Sequence, residues 1–406
     1  MDWKLLVLAF VAIGTLYKLV LHIVQSGSAN RPTPENVSDV YDKESYTRWK
    51  AYNGEKSRLS IVSTLLSFAV LAVLLLTDAH AAFASLFPDG AFMQLLAVVL
   101  LQTLVDFVMD VPLQYIDTMI IEQKYGFNRS TVKTFAADQI RNLLLALFIG
   151  VGLMGILLLL HTAMGDWVVV LFAGFMLVLS LVISFLYPIL SRIGNKFVPL
   201  EEGELRDKLM ALLTKYGYQV KAIEVMDASR RTTKLNAYFT GFGKMKTIVL
   251  YDNLLNAMTT DEICAVFAHE LGHGLNKDVL KMQILNVGNY LLMGLTVWAA
   301  VSFPVLHSAF GFCGVNYGFA YILTSAGLNL VQPLFGMVTN ARSRAAEYRA
   351  DRQAVKEGYG EAMITAFKKL AKENFADLAP APALVVLEYS HPPLSKRVDA
   401  VEKAMK

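Results

Sequence analysis

Apolar residues are concentrated in seven long blocks along the chain, and polar segments separate these blocks. Each block is about 20 residues long, the length that an α-helix needs to cross the hydrocarbon layer of a bilayer. The first block is long and lacks a small-residue cleavage site, so we predict a span there instead of a signal peptide. The seven predicted transmembrane helices lie at residues 4–25, 58–77, 91–112, 139–161, 167–190, 284–306 and 319–340.

The polar segment between the fifth and sixth blocks has the pattern of a folded domain. Residues 199–216 predict a helix, because Pro199 stands near the start and leucines repeat along one face. Gly241 and Gly243 would end one of three predicted strands, so the domain is expected to contain a small β-sheet. The strand-like runs lie at 222–226, 236–239 and 247–250.

Basic residues are distributed unequally between the segments that separate the blocks. Three segments contain no Lys or Arg, whereas the others carry several. Because basic loops face the cytoplasm, we expect the N-terminus outside and the folded domain in the cytoplasm. The segments without Lys or Arg are 78–90, 162–166 and 307–318, and the basic segments are 26–57, 113–138, 191–283 and 341–406.

The composition agrees with a membrane protein. Of the 406 residues, 55% are hydrophobic and 17% are charged, against about 25% charged in a soluble domain. The net charge of +3 is too small to indicate a nucleic-acid partner. The lipid bilayer is therefore an expected partner, and the two cysteines indicate no disulfide framework.

One short motif in the folded domain is typical of a metal site. His269, Glu270 and His273 form an H-E-x-x-H pattern inside an apolar run that predicts a helix. Residues i and i+4 lie about 40° apart on a helix, so both imidazoles can bind one tetrahedral ion. Glu270 lies about 100° round the helix, where it can reach a water on the metal without being a ligand. The pattern predicts a zinc protease site with a general base.

The stretch after the seventh block offers the further ligand that such a site needs. Glu347 and Asp351 are four residues apart and share one face of a predicted helix. A catalytic zinc ion takes three protein ligands and leaves the fourth position to water, which makes Glu347 the candidate third ligand. Asp351 would accept the other ring N–H of a ligand histidine. Ion pairs with nearby arginines are the alternative explanation for both carboxylates.

Several polar residues lie inside or beside the apolar blocks. Asp106 and Asp110 are one turn apart near the inner end of the third block, and they favour a water-filled cavity over interfacial exposure. His80, His161 and His307 lie in or beside the outer loops, where we predict solvated side chains and no second metal site.

Seven short motifs, in this order and with seven spans, resemble the Ste24 family of CAAX prenyl proteases, a group of M48 zinc metallopeptidases. The resemblance covers almost the whole chain. Many relatives carry a histidine where this chain has Asp278, a position that is not a ligand in the family pattern. The motifs are 122–128 (EQKYGFN), 200–205 (LEEGEL), 236–239 (NAYF), 248–252 (IVLYD), the H-E-x-x-H helix, 347–351 (EYRAD) and 391–393 (HPP) with Arg397.

The resemblance implies both the fold and the site. Transmembrane helices would enclose a water-filled chamber, and a zincin-like metalloprotease domain would cap it and hold one zinc ion. The protein would be a mainly α-helical membrane endopeptidase. The implied zinc ligands are His269, His273 and Glu347, the implied base is Glu270, and the residues implied to contact the substrate or the reacting carbonyl are Asn236, His391 and Arg397.

Residues 236–239 suit an exposed strand at the edge of the sheet, near the zinc helix. A sheet edge can bind an extended peptide through its backbone. We therefore predict that Asn236, Ala237 and Tyr238 bind the substrate. A turn residue is the alternative for Asn236.

The blocks and motifs predict four parts of the chain. Residues 1–193 would form an N-terminal membrane region with five transmembrane helices, and 194–283 a cytoplasmic zinc protease domain. Residues 284–340 would supply transmembrane helices six and seven. Residues 341–406 would complete the catalytic domain with the third zinc ligand.

Two other functions fit parts of the pattern. Quality control of membrane proteins would use the same site on substrates that carry no prenyl group. Seven spans and intramembrane carboxylates also suit a transporter, but the zinc motif and the lack of a visible repeat between the halves argue against one.

The expected partner is a peptide or protein, including one prenylated at its C-terminus, and we expect a monomer. Compact, alanine-rich loops without a long charged insert favour a bacterial inner membrane over the endoplasmic reticulum.

Overall fold

The computed structural model describes residues 2–192, 194–240 and 247–406, and these residues are mainly helical. Gly241 and Gly243, which were predicted to end a strand, lie outside the described residues. The α-helices are α1 (Trp3–Ser28), α2 (Lys43–Leu76), α3 (Ala79–Ala84), α4 (Ala91–Tyr115), α5 (Val132–Met164), α6 (Val168–Leu190), α7 (Glu204–Lys215), α8 (Asp252–Ala257), α9 (Thr260–Leu275), α10 (Asp278–Ser302), α11 (Pro304–Ser308), α12 (Tyr317–Lys356), α13 (Gly360–Glu373), α14 (Pro382–Leu387) and α15 (Leu394–Met405).

Six stretches of the described chain are long and apolar enough to cross a membrane. One of them, Val132–Leu190, contains both α5 and α6, which the short 3-10 turn Gly165–Trp167 separates. Each of the seven predicted blocks overlaps one long helix, namely α1, α2, α4, α5, α6, α10 or α12. The positions of the helices thus agree with the apolar pattern, and the number of membrane crossings stays a prediction.

A small mixed sheet supports the folded domain, as the strand-like runs predicted. Its strands are β1 (Phe197–Pro199), β2 (Ala222–Met226), β3 (Ala237–Thr240) and β4 (Thr247–Tyr251), in the order β1-β2-β4-β3. The central pair β2 and β4 is parallel, and the outer strands are antiparallel to their neighbours. Within the described residues β3 pairs only with β4, so β3 lies at an edge of the sheet.

The helix predicted at 199–216 begins later than expected. Helix α7 begins at Glu204, whereas Pro199 ends β1 and lies opposite Glu224 of β2. Proline is tolerated in an edge strand, so its position here does not mark the start of a helix. Gly203 has a φ of 149°, a backbone conformation that favours glycine, and it separates the strand from the helix.

Two large apolar cores organise the chain. The first lies among the membrane helices and buries Phe172 and Phe319. The second lies in the folded domain, where Leu250 of β4 and Phe267 of α9 are buried.

Trp49 at the start of α2 also belongs to the second core. The segment between α1 and the membrane part of α2 is therefore part of the folded domain's core, although it lies inside the predicted N-terminal membrane region. The boundaries of the four predicted parts stay predictions.

Helix α12 connects the two cores. It has 40 residues, which corresponds to a length of about 60 Å. Phe319 near its start is buried in the membrane core, and Glu347 and Asp351 near its end are buried in the folded domain. One continuous helix thus joins a predicted membrane span to two of the predicted site residues.

Two histidines that were predicted to be solvated are buried instead. His307 Nε2 lies 2.8 Å from the Ala300 carbonyl oxygen, and its Nδ1 accepts from the Asn316 backbone N–H at 3.2 Å. His80 Nε2 lies 3.0 Å from Gln102 Oε1. The prediction was wrong because protein groups replace water as partners of both His307 ring nitrogens and of His80 Nε2.

Asp106 and Asp110 lie beside a cavity, as the polar pattern of the third block indicated. The cavity has a volume of about 410 Å³ and lies between α4, α5 and the start of α12. Its wall combines these two carboxylates with amide side chains, such as that of Gln139, and with apolar residues.

Candidate active site

Helix α9, which carries the H-E-x-x-H motif, has a well-defined start. The Thr259 hydroxyl accepts from the Glu262 backbone N–H, and the Glu262 carboxylate accepts from the Thr259 backbone N–H at 2.8 Å. This capping box satisfies two N–H groups that the first turn would leave free. Lys369 of α13 pairs with Glu262 at 2.6 Å and ties the helix start to the rest of the domain.

A close approach between α9 and α12 brings the two parts of the site together. A Cβ atom on Gly272 would lie 3.0 Å from Ala350 Cα and 3.0 Å from Gln353 Cβ. A larger residue at this position would push the helices apart, so glycine allows the backbones to approach. Glu347 and Asp351 lie on the approaching face of α12, next to the histidines of α9.

Three side chains converge as the ligands of one metal ion do. His269 Nε2 and His273 Nε2 are 3.2 Å apart. Glu347 Oε2 is 3.6 Å from His269 Nε2, and Glu347 Oε1 is 3.3 Å from His273 Nε2. The edge of a zinc tetrahedron with ligands at 2.0–2.1 Å is about 3.3–3.4 Å long. The spacing of these three side chains therefore matches one face of such a tetrahedron.

Carboxylates set the orientation of both imidazole rings. Asp351 Oδ1 lies 2.8 Å from His269 Nδ1, and Asp278 Oδ2 lies 3.0 Å from His273 Nδ1. A ring that donates its Nδ1–H to a carboxylate keeps a lone pair on Nε2, the form that binds a metal. The two Nε2 atoms are 3.2 Å apart, so their lone pairs would face the same point, where one metal ion could bind both.

The donor set fits a divalent metal ion. Among the described residues, His269, His273 and Glu347 form the group whose ligand atoms lie within 4.8 Å of one another. Glu347 Oε2 is buried and has no well-aligned hydrogen-bond partner in the described part of the chain. Two imidazoles and one carboxylate are the ligands of a gluzincin-type zinc site with an open position. The exposed fractions are only 6% for His269 and 4% for Glu347, so the ion would be well shielded.

Arg397 on α15 holds the Asp351 carboxylate in place. Its Nε donates to Asp351 Oδ2 at 3.0 Å, and its Nη2 donates to Asp351 Oδ1 at 2.6 Å. Its guanidinium also lies 4.0 Å from the centre of the Phe367 ring and 3.2 Å from Glu347 Oε2. Two parallel hydrogen bonds and the ring fix the guanidinium, so the Asp351–His269 pair has a rigid support.

Glu270 lies beside the three converging side chains and, together with His269 and Glu347, lines an open cavity. The cavity has a volume of about 620 Å³, and its lining also includes Asn236, His391 and Arg397. Burial raises the pKa of Glu270, and the neighbouring His269 and His273 oppose this rise. A raised carboxyl pKa brings the group closer to the pH at which a base works best.

The edge strand predicted to bind substrate begins at this cavity. Asn236 and Ala237 line it, and the Asn236 backbone carbonyl accepts from Tyr251 N–H at 3.1 Å. The Tyr238 side chain lies on the other face of the sheet, with its ring 6.1 Å from that of Tyr187 and 6.4 Å from that of Tyr251. Successive residues of a strand face opposite sides, so the Tyr238 ring points away from the face that carries Ala237, and Tyr238 would meet a peptide through its backbone.

Sequence reasoning left Asp278 without a role in the site. It lies at the start of α10, where it binds the His273 ring and accepts from an Arg349 guanidinium N–H at 2.9 Å. The family resemblance implied no role for this position, so we had no reason to expect a carboxylate partner for His273 there. Asp278 is only five residues from His273, and this closeness in sequence was the available signal. It predicts a contact only when the geometry of the turn between α9 and α10 is known.

The fold and the site together define an integral membrane metallopeptidase. Residues 24–192 match the family described as "CAAX prenyl protease N-terminal, five membrane helices", and residues 199–405 match "Peptidase family M48". The chain therefore belongs to the M48 peptidase family, in its Ste24-type group of CAAX prenyl proteases.

Named relatives match this chain over nearly the whole length of both proteins. The chain is 32% identical to a CAAX prenyl protease 1 homolog of Oryza sativa subsp. japonica, over 98% of this chain and 97% of the relative. It is 29% identical to CAAX prenyl protease 1 of Saccharomyces cerevisiae, over 98% of this chain and 95% of the relative. The crystal structure of S. mikatae Ste24p superimposes with a TM-score of 0.91 at 27% identity, covering 99% of both chains.

Proposed function

We propose that the chain is a zinc-dependent membrane endopeptidase that uses Glu270 as its general base. The observation that carries this proposal is the convergence of His269, His273 and Glu347 beside Glu270 in an open cavity. Membership of the M48 family supports the reaction class. The choice of zinc and of one ion per chain rests on the chemistry of the three ligands.

A zinc ion held by His269, His273 and Glu347 would polarise the scissile carbonyl and lower the pKa of a water to about 7. Glu270 would take the proton of the attacking water and pass it to the leaving amine. Its partly buried position supports this role, because burial raises its pKa and a carboxyl group with a raised pKa can both accept and return a proton.

His391 and Arg397 have different proposed roles. The His391 side chain is 64% exposed and lines the cavity, with its Nδ1 3.0 Å from Glu347 Oε2. Because the ring is exposed, it could turn from Glu347 towards the oxygen of a tetrahedral intermediate and stabilise its charge. Arg397 already binds Asp351 with two hydrogen bonds. We therefore propose that Arg397 and Asp351 position His269, with Arg397 adding positive potential at the cavity wall.

The substrate would bind in extended form along β3. The edge of β3 leads from the cavity that holds Glu270, and the backbone of an edge strand has unpaired N–H and C=O groups. A peptide that pairs with this edge gains most of its affinity from backbone hydrogen bonds. The Asn236 side chain is exposed at the mouth of the strand, where it can bind a peptide amide next to the scissile bond.

Replacing Asn236 with alanine is expected to lower kcat/KM by about 10–100-fold, because a buried peptide group would lose its partner. Metal content and thermal stability should stay at the wild-type values, since Asn236 is exposed and is not a ligand. Steady-state kinetics on one peptide measure the effect, with Asn30→Ala on the exposed surface as the control. An unchanged kcat/KM would remove the edge-strand proposal and leave the metal site standing.

The proposed substrate is a peptide with a prenylated C-terminus, which is what the names of the relatives describe for those proteins. The second candidate function is the cleavage of unprenylated membrane proteins in quality control. An open cavity of about 620 Å³ can accept many side chains, and so can a strand edge that binds a peptide through backbone hydrogen bonds.

Purified protein should be given a prenylated peptide and the same peptide without the prenyl group, with zinc measured in the same preparation. We expect hydrolysis of the prenylated peptide and about one zinc per chain. Equal hydrolysis of both peptides would support the quality-control function. A preparation that contains zinc but cleaves neither peptide would contradict the proposed endopeptidase.

We also propose that the catalytic domain faces the cytoplasm, on the basis of its basic segments. Native Cys313 is exposed near the start of α12, on the predicted outer side, whereas Cys264 is buried. An impermeant thiol reagent should label Cys313 in intact cells. In a Cys313→Ser background, Ser85→Cys should be labelled in intact cells and Arg230→Cys only after permeabilisation. The reverse pattern would overturn the orientation.

The compact loops remain the support for a bacterial inner membrane as the proposed location. The relatives named above are eukaryotic, and the shared fold suits either membrane.

A further inference from the structure

A cavity with five basic residues in its lining lies away from the active site. Its volume is about 690 Å³, and three separate parts of the chain surround it. These parts are the residues at and just before the start of α5, the segment 194–196 that follows α6, and the turn that contains Arg230 and Arg231.

The charge of this cavity is strongly unbalanced. Five basic residues line it, and its acidic lining residue, Asp138, already pairs with Arg231 at 2.7 Å and with Arg141 at 3.2 Å. The five basic residues are Arg129, Lys133, Lys196, Arg230 and Arg231.

Several of these donors lack a partner. In the described part of the chain, no acceptor binds the side chain of Arg129, Lys133 or Lys196. Arg231 Nε is buried and has no hydrogen-bond partner among the described residues. A buried guanidinium N–H without an acceptor costs free energy, so the site is suited to an anion that accepts from it.

The position of the cavity identifies the kind of anion. It lies where α5 begins and α6 has ended, and both helices belong to the apolar stretch Val132–Leu190. The ends of two adjacent spans lie at the depth of the lipid headgroups. Ile140 and Leu144 of α5 and Ile189 of α6 are exposed, so the same two helices offer apolar surface for acyl chains.

We propose that this cavity binds the phosphate headgroup of an anionic phospholipid. The cationic side chains would pair with the phosphate, and the acyl chains would lie along the exposed apolar residues of α5 and α6. Basic pockets between transmembrane helices on the positively charged side of a membrane have the chemistry for such headgroups. The amino end of α5 adds backbone N–H groups that also favour a negative charge.

The bound lipid would join the membrane region to the folded domain. Arg129 N–H donates to the Arg231 carbonyl at 3.0 Å, and Thr233 N–H donates to the Phe127 carbonyl at 3.2 Å. The cavity thus lies at a junction where the segment before α5 already pairs with the segment that leads into β3. A headgroup that bridges Arg129, Lys133 and Lys196 would add contacts across this junction.

The test uses the full-length protein in detergent and native mass spectrometry. Phosphatidylglycerol and phosphatidylcholine with identical acyl chains are offered to the wild type and to the variant Arg129→Gln/Lys133→Gln/Lys196→Gln. We expect the wild type to prefer phosphatidylglycerol by at least about 10-fold, and the variant to lose most of this preference. The matched control removes three exposed lysines far from the cavity lining: Lys221→Gln/Lys403→Gln/Lys406→Gln.

Two outcomes would overturn the proposal. One is an undiminished preference for phosphatidylglycerol in the cavity variant. The other is that inorganic phosphate alone raises the melting temperature of the wild type as much as phosphatidylglycerol does. The site would then bind soluble anions and not a lipid. If the variant does not fold, the wild type is instead crosslinked with a photoactivatable phosphatidylglycerol. Crosslinks must then map to residues 129–138, 194–196 or 230–231, and crosslinks confined to other regions would contradict the site.

Discussion

The variant Glu270→Gln is expected to lose nearly all peptide hydrolysis while it keeps its metal. Glutamine preserves the size of the side chain but cannot accept the proton of an attacking water. Loss of a positioned general base typically costs about 10²–10⁴-fold in rate. The three proposed ligands, His269, His273 and Glu347, stay in place, so zinc content should equal that of the wild type. Peptide hydrolysis and elemental analysis of the same preparation measure both quantities.

Asp261→Asn is a suitable control for that variant. Asp261 lies on the same helix, is exposed, and pairs with Lys208 at 3.0 Å. Loss of an exposed ion pair costs little, so both activity and metal content should be retained. A marked loss of zinc from Glu270→Gln would place Glu270 among the ligands and refute its assignment as the base.

Glu347→Ala is expected to lose the metal itself. Removing the residue that orients a ligand lowers metal affinity by about 10–100-fold. We therefore expect removal of a ligand itself to lower metal affinity by more than roughly 100-fold. His269→Ala and His273→Ala should have the same effect, because each removes one vertex of the same site. Metal titration of the stripped protein, followed by its thermal unfolding, measures affinity apart from activity.

Glu361→Ala provides the comparison for the third ligand. Glu361 is an exposed glutamate on α13 and has no hydrogen-bond or ion-pair partner among the described residues. Its loss should leave metal affinity unchanged. Wild-type metal affinity in Glu347→Ala would mean that another group supplies the third ligand.

The positions of the proposed ligands were predictable because each motif is local. The i, i+4 spacing of His269 and His273 places both rings on one helix face whatever the rest of the fold does. Glu347 and Asp351 follow the same rule on a second helix. The meeting of the two helices could not be read from spacing, because it depends on the contact that Gly272 allows with Ala350.

Other features depended on tertiary context. The burial of His80 and His307 follows from hydrogen bonds to residues from other helices, which the polarity of a loop does not reveal. The role of Asp278 follows from the tight connection between α9 and α10, where Lys277 has a φ of 53°. The direction of the Tyr238 ring required the register of β3 against β4. Each of these features depends on contacts between residues that are far apart in the sequence, or on the geometry of one turn.

The continuous α12 also sets the order in which a working enzyme can arise during biosynthesis. His269 and His273 leave the ribosome before Glu347, which lies beyond the last apolar block on the same helix as Phe319. The proposed metal site therefore stays incomplete until translation has passed that block, and its insertion into the bilayer would fix the helix that carries Glu347. Arg397, which supports Asp351, is translated later still. A nascent chain would thus be unable to cleave its neighbours in the membrane before its own insertion is finished.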